Sequence, residues 1–504
     1  MQNTLKIITA KDLQLAEKKY FLDENIKEEK LMTAAATHVA NYILKLNDTK
    51  KIILLIGKGN NGADAYATGI ILLKQKKDVT AYQLYPYSET SALNKKKHNE
   101  FKKLNGAIKF IKEPSDLEIN DQLIIDGIFG IGFRNTKNNF IDNIITKVNE
   151  SNSFTISIDV PSGLDATTGI AENQAIKANV TISFSLPKIG FFFNDGINFI
   201  GKLINVDIGI EKRYLNKIRT SYYLPNEDDI KKLLPKIKNN RHKYEMSVIG
   251  IAGCKKYIGA AKLSCLSALR SGAGIVKLFY PKQDAYFDNF PYEIIKEEIT
   301  KNNIEKIMKD CQLAKSIFIG PGLGEMTPLL KIILKKVLLK IKDIPIVIDA
   351  DGLTYFNMIK KKMTFNTNII LTPHKKEMMR LLNLKDHLSD SLFLPLCDDF
   401  CKHHNILLIL KGAITYLFHP QHDTLAFNFA DPGMATAGTG DVLTGIIASL
   451  LAQKTSLYKA AILGIYLHSK AGKLAAEIKT PYCMIASDII NYLPDIFKKI
   501  NNIF

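Results

Sequence analysis

Short apolar runs alternate along this chain with longer stretches in which apolar positions recur every three or four residues, the pattern of strands separated by helices. Residues 51–56, 78–85, 122–125, 154–158, 179–184 and 203–206 read as strands of a first set. They are β-branched and rarely alternate with polar residues, which suits a parallel sheet covered on both faces. A second set follows at 247–252, 275–280, 316–319, 344–348, 368–371 and 406–410. Most of these end within two residues of a Gly, Pro or Asp, and ligands of open α/β sheets gather at the carboxyl ends of strands. Between the sets the chain is charged and irregular, with Pro225, Pro235 and a basic run at 236–243, as expected of a connection. The predicted fold class is α/β in two domains, 1–215 and 236–504, joined by a linker at 216–235.

With 46% hydrophobic and 23% charged residues, the 504-residue chain has the make-up of a globular enzyme rather than of a disordered protein. Its net charge of +18 invites a nucleic-acid partner, but the lysines are dispersed in small clusters such as 95–97 and 360–362, so none is expected. The excess positive potential still favours anionic small molecules. Six cysteines without regular spacing fit a reducing compartment, and a cytoplasmic location is expected. Cys397, Cys401, His403 and His404 lack a second ligand pair nearby, and are read as residues of an amphipathic helix rather than as a zinc site. No export signal and no uncharged apolar run long enough to span a membrane is found.

The most informative stretch is Gly438-Thr439-Gly440-Asp441. Small residues there let backbone N–H groups converge on an anion where an apolar helix begins, expected from Val442 onward, and Asp441 stands where a substrate hydroxyl could lose its proton. This is equipment for phosphoryl transfer. A carboxylate at a helix N-terminus is expected to be a weak base, so placement must supply most of its effect. In the first half, Gly57-Lys-Gly-Asn-Asn-Gly62 follows a strand, but the next strand ends without the acidic residue that a dehydrogenase uses to hold ribose. Asp126 and Asp159 each follow a strand directly and precede a glycine or proline turn. Asn61, Asp126 and Ser162 could together offer oxygens to one hard cation.

These segments, Asn60 to Asp64, Asp126 to Arg134 and Asp159-Val-Pro-Ser-Gly-Leu-Asp165, resemble the NAD(P)H-hydrate epimerases over roughly residues 10–210. The resemblance implies that Asn60, Asn61, Gly62, Ala63 and Asp64 bind the hydrated dinucleotide together with Gly130, Ile131, Gly132, Phe133, Arg134 and Asn135. It also implies that Asn61, Asp126 and Ser162 ligate potassium, and that Asp159 binds substrate and acts at the reacting ring. Ala63 stands where the family has glycine, and a positive φ there would strain the loop. Gly127 and Ile131 also depart from the family pattern, as does the segment 31–36.

Ten spaced motifs in the second half, among them Gly320-Pro-Gly-Leu-Gly324, 371–377, Lys411-Gly412-Ala413 and 438–441, look like the ADP/ATP-dependent NAD(P)H-hydrate dehydratases of the ribokinase-like superfamily. That likeness spans about residues 235–495. It implies that Lys411, Gly412, Ala413, Ile414 and Thr415, with Gly438, Thr439 and Gly440, bind ADP or ATP together with Mg²⁺. Ala261, Gly322, His374 and Asp441 would bind the hydrate, with Asp441 as the catalytic base. His374 also has a structural reading. His468 reads as core, and Asp349 and Asp351 as strand caps or metal-placing groups.

The implied fold is a Rossmann-like three-layer α/β/α domain followed by a ribokinase-like domain. The implied activity is repair of hydrated NADH or NADPH. One half would epimerise the R and S hydrates, and the other would dehydrate the S form through a transient phosphorylated intermediate. Small-molecule substrates, no membrane and a homo-oligomer are expected. A ribokinase-like kinase of a hydroxymethylpyrimidine or hydroxyethylthiazole type of vitamin precursor stands as the alternative enzyme. A dinucleotide-sensing or RNA-binding protein stands as the alternative without catalysis.

Overall fold

The computed structural model describes residues 4–46, 50–132, 138–237, 239–281, 290–360, 368–429 and 431–501. The chain forms two compact units, Leu5–Tyr222 and Tyr223–Phe504.

In the first unit seven strands form an all-parallel sheet. They run in the order Ala107–Phe110, Val79–Gln83, Ile52–Ile56, Leu123–Gly127, Phe154–Ile158, Val180–Phe184, Lys202–Val206. Every residue of Ile52–Ile56 is buried, and successive side chains enter opposite cores because strand side chains alternate. Ile52, Leu54 and Ile56 join residues of the helices Ala10–Glu24, Glu28–Lys45 and Asn60–Lys74. Ile53 and Leu55 join Ile141, Ile144, Ile145 and Val148 of the helix Asn139–Glu150. The result is three layers, α/β/α. Strand order reverses between Ile52–Ile56 and Leu123–Gly127, and such a switch opens a crevice at the carboxyl ends of those strands. Ala107–Phe110 was not anticipated, because it is a largely exposed edge strand with little apolar signal.

The second unit carries a mixed sheet whose strands include, in order, His422–Phe427, Thr415–His419, Leu407–Leu410, Ile369–Leu371, Ile346–Ile348, Ser316–Ile319, Ser247–Ile251, Ile275–Pro281, Ile294–Ile299. Pairing is parallel from Leu407–Leu410 onward, whereas the first two strands add an antiparallel hairpin. The helices Ile258–Arg270, Thr439–Ala452, Leu457–Lys479 and Ala486–Asn501 contribute to one large apolar core. Ile230, from the stretch expected to be a connection, is buried in that core as well. Among the described residues no helix is long and apolar enough to cross a membrane.

The helix Thr439–Ala452 is buried at every position from Val442 to Ala452, as an apolar helix must be when its whole circumference lacks polar cover. Its approach to Ile258–Arg270 depends on Gly445, where an added Cβ would lie 2.0 Å from the Ser264 carbonyl oxygen and 2.1 Å from Ser267 Oγ. Gly445→Ala must therefore push two core helices apart. The expected cost is about 3 kcal/mol, read as a lower unfolding midpoint in a denaturant titration.

Candidate active sites

In the first unit, the turn after Ile52–Ile56 is drawn tight against its neighbours. A Cβ on Gly57 would sit 1.7 Å from the Ile128 carbonyl oxygen, and Asn94 Nδ2 donates to the carbonyls of Gly57 and Gly59 at 2.8 and 3.1 Å. The helix Asn60–Lys74 starts at once, and its N-cap Gly59 offers no side-chain acceptor, so its first N–H groups are left for another partner. Asn60, Asn61, Gly62, Ala63 and Asp64 are thus helical rather than part of a loop. Ala63 is buried, and it is absent from the positions with positive φ. Alanine costs nothing there, and the expected strain does not arise.

Beside this helix start lies a cavity of about 790 Å³, lined among others by Glu17, Asn60, Asn61, Asp64 and Asp159. Gly130, Ile131 and Gly132 form part of its wall. Gly62 and Ala63 do not line it and serve packing instead, since a Cβ on Gly62 would lie 2.3 Å from the Gly57 carbonyl oxygen. Phe133, Arg134 and Asn135 lie outside the described residues.

Asn61, Asp126 and Ser162 meet in one network. Asn61 Nδ2 donates to the Phe129 carbonyl at 2.7 Å, and the Phe129 N–H donates to Ser162 Oγ at 2.9 Å. Ser162 in turn donates through Oγ to Asp126 Oδ1 and through its N–H to Oδ2. Ser157 Oγ and the Ile128 N–H complete the set around Asp126. The Asp126 carboxylate is fully buried among neutral donors, and burial raises its pKa against their opposing effect.

Asp159 stands at the end of Phe154–Ile158 with φ +63°, a conformation that few side chains tolerate and Asp tolerates better than most. Lys188 Nζ donates to Asp159 Oδ1, and also to Ser183 Oγ at 2.9 Å and to the Phe184 carbonyl at 3.1 Å. This lysine has no exposed surface. Sequence reasoning missed it, although a lone lysine in the apolar, glycine-containing run 184–193 was a visible signal.

In the second unit the predicted groups converge at the carboxyl ends of parallel strands. Asp349 follows Ile346–Ile348, His374 follows Ile369–Leu371 and Lys411 follows Leu407–Leu410. Lys411 Nζ donates to Asp349 Oδ1 at 2.7 Å, and Thr444 Oγ1 donates to Asp349 Oδ2 at 2.8 Å. Asp349 is therefore committed to side chains across the crevice, not to capping its strand, whereas Asp351 accepts the Gly324 N–H at 2.8 Å. The helix begins at Thr439, three residues earlier than expected, after Gly438 at φ +93° without a side-chain cap. Asp441 consequently sits inside the first turn. A Cβ on Gly440 would come within 2.9 Å of Lys411 Nζ, so the glycine lets the ammonium lie against the helix start.

Burial is the first cause that lifts the Asp441 pKa to about 7, and the Asp349 charge adds to it against the pull of Lys411. Burial at this position thus acts against the expectation of a weak base. His468 is buried and its pKa falls to about 4, chiefly through burial. The neutral ring thus donates from Nε2 to the Thr439 carbonyl at 2.8 Å, a tie across to the glycine turn that a core reading did not foresee. Thr439 Oγ1 closes the turn on the carbonyls of Met434 and Thr436.

His374 caps the helix Lys375–Leu382 in a reciprocal box with Glu377, and it bridges to Lys411 through the backbone. Gly412 and Ala413 are exposed, Ile414 is buried and Thr415 opens the antiparallel hairpin. Gly322, at φ +61°, lies against Tyr257 and Ala260, so it and the buried Ala261 belong to the end of the crevice where the helix Ile258–Arg270 starts. Cys397 and Cys401 are buried in the helix Asp390–His404. Burial raises both thiol pKa values, and Cys401 Sγ donates to the Ile406 carbonyl.

Two family models match the chain. One described as NAD(P)H-hydrate dehydratase covers residues 248–495, and one described as YjeF-related protein N-terminus covers residues 28–190. Over 515 residues the chain is 30% identical to the bifunctional NAD(P)H-hydrate repair enzyme Nnr of Dictyoglomus turgidum, a match spanning 97% of this chain and 98% of that protein. The chain belongs to the bifunctional NAD(P)H-hydrate repair enzyme family. The Nnr repair enzyme of Moorella thermoacetica is 27% identical over 98% of this chain and 97% of its own. Among solved structures, a ribokinase-like superfamily protein from Enterococcus faecalis superposes with a TM-score of 0.50 at 27% identity, covering 56% of this chain and 98% of that one.

In this repair-enzyme chain the high Asp441 pKa has a cost for folding. Asp441 is ionised above about pH 4 in the unfolded chain and above about pH 7 in the folded one. The charged form therefore destabilises the fold increasingly from pH 4 to 7 and fully above 7. Asp441→Asn should stabilise the protein at pH 8 by a few kcal/mol, about 4 at most. The gain should shrink between pH 7 and 4 and vanish below, as read from unfolding midpoints across that range.

Proposed function

We propose that the protein repairs hydrated NADH and NADPH. The first unit interconverts the R and S hydrates in the 790 Å³ cavity beside Asp159. The second dehydrates the S hydrate at the expense of ADP or ATP. The observation that carries this reading is that one chain, matching repair enzymes along nearly its full length, holds both a carboxylate-lined cavity at one sheet's switch point and a base of suitable pKa beside an uncapped helix start in the other unit.

In the second unit the chemistry begins with a hydroxyl that is a poor leaving group. Asp441, with a pKa of about 7, takes the hydroxyl proton near neutral pH. The N–H groups from Gly438 to Gly440 and the Lys411 ammonium face the charge of the phosphoryl group that is transferred. The nicotinamide ring nitrogen then expels phosphate and regenerates the reduced coenzyme. Mg²⁺ bound with the nucleotide would neutralise phosphate charge. Lys411 to Thr415 line the nucleotide's approach, and Ala261, Gly322 and His374 line that of the hydrate.

In the first unit the buried Asp126 charge is met by neutral donors alone. A potassium ion fits this donor set. It would be held by oxygens of Asn61 and Ser162 with Asp126 behind them, and it would supply the missing positive charge. Asp159, paired with Lys188, faces the ring of the hydrate.

A mixed-epimer hydrate supplied with ADP or ATP should recover reduced nicotinamide absorbance completely. Asp441→Ala should lower recovery by about 10²–10⁴-fold, whereas Asp159→Ala should slow only the R epimer. A stable phosphorylated product without recovery of reduced coenzyme would favour a vitamin-precursor kinase instead. Potassium should raise the unfolding midpoint above its value in an equal concentration of tetramethylammonium, and Asp126→Asn should remove that difference.

A further inference from the structure

The first unit's reaction needs a proton donor as well as a base. Epimerising the hydrate requires the ring hydroxyl to leave, and hydroxide leaves poorly unless it is protonated. Asp159 is already paired with Lys188 Nζ. The cavity contains a better candidate. The helix Ala10–Glu24 turns Leu13, Ala16 and Tyr20 into the core, and Glu17 falls on the same stripe, three or four residues from Leu13 and Tyr20. An apolar residue would be expected at that position. Instead a carboxyl group lines the cavity alongside Asp64 and Asp159.

We propose, building on the epimerase reading, that Glu17 is the general acid of the first unit: it protonates the departing ring hydroxyl while Asp159 takes a proton from the water that returns on the opposite face. As the C–O bond breaks, its electron pair leaves with the oxygen as water, and the ring nitrogen lone pair forms a C=N⁺ bond. A second water adds to that carbon, its electrons forming the new C–O bond, and the C=N pair returns to nitrogen. The incoming water's extra proton goes to Asp159. No electrons are gained or lost overall, and the two carboxyl groups exchange protons with solvent between turnovers. In the opposite direction the same steps run in reverse.

The electrostatic surroundings suit this role. Burial is the largest influence on Glu17, raising its pKa to about 7, and the Asp159 and Glu28 charges push the same way while Lys188 opposes them. Asp64 stands on the facing helix, and Lys18 and Lys58 stand on the cavity wall. An acid that must release and regain its proton near neutral pH works best with its pKa there. Burial raises the Asp64 pKa too, and the Asp159 and Glu17 charges push the same way.

The test follows the pure R hydrate of NADH, without nucleotide, as it converts to the S form on the full-length protein by chromatography. Glu17→Gln should lower kcat about 10²-fold or more, with KM within about threefold. It should also abolish the decline in kcat that the wild type shows above about pH 7. Glu17→Asp should restore part of both, and unfolding midpoints at or above that of the wild type would show that the variants fold. A Glu17→Gln protein with near-normal kcat, or one that keeps the alkaline decline, overturns the proposal. So does loss of that decline in Asp64→Asn but not in Glu17→Gln, which would move the role to Asp64. If the wild type itself does not convert the R hydrate, the epimerase reading fails, and this inference fails with it.

Discussion

Taking carboxylates out of water is the constraint around which both units are arranged. Each gathers acidic side chains at the carboxyl ends of buried parallel strands, where desolvation penalises the charged form, and each supplies one lysine to a chosen aspartate. In the first unit that pair is Lys188 with Asp159, and in the second it is Lys411 with Asp349. One cation cannot neutralise every neighbour. The next carboxyl group, Glu17 in one unit and Asp441 in the other, is left with a pKa of about 7. In both sheets burial is the first cause that raises the second acid, and the aspartate of the ion pair beside it adds to the effect.

Glycines give this arrangement its reach. Gly57 and Gly62 let the first helix close on the strand turn, and Gly438 and Gly440 let the second helix begin against Lys411. In both places the helix N-terminus is left without a side-chain cap, so backbone donors and titratable acids face the same space. Polar groups that would otherwise be orphaned are tied down at the edges of the turns. Asn94 holds the first, and His468 holds the second.

Most of the fold was legible because buried parallel strands produce dense β-branched runs, and every run predicted as a strand became one. The omissions include strands without that density. Ala107–Phe110 is a mostly exposed edge, Ile294–Ile299 carries Lys and two Glu, and the hairpin of Thr415–His419 and His422–Phe427 mixes polar residues with apolar ones. The acidic and glycine residues of the sites were legible as turns after strands. Their partners were not, since Lys188, Glu17, Thr444 and His468 lie far in sequence from the groups they meet, and no local pattern announces such a meeting. Glu17 did leave a trace as a charge on an apolar stripe. The helix status of Asn60 to Asp64 was hidden because asparagine and glycine ordinarily mark loops.

Lys188 is a lysine whose amine has nowhere left to go. Its three N–H bonds are engaged by Asp159, Ser183 and Phe184, and it has no surface open to solvent. A damaged coenzyme passing through an iminium-like state is an electrophile, and an unguarded amine at that spot would be captured by it. The same burial that steadies Asp159 therefore also keeps this amine out of solvent and away from such an electrophile.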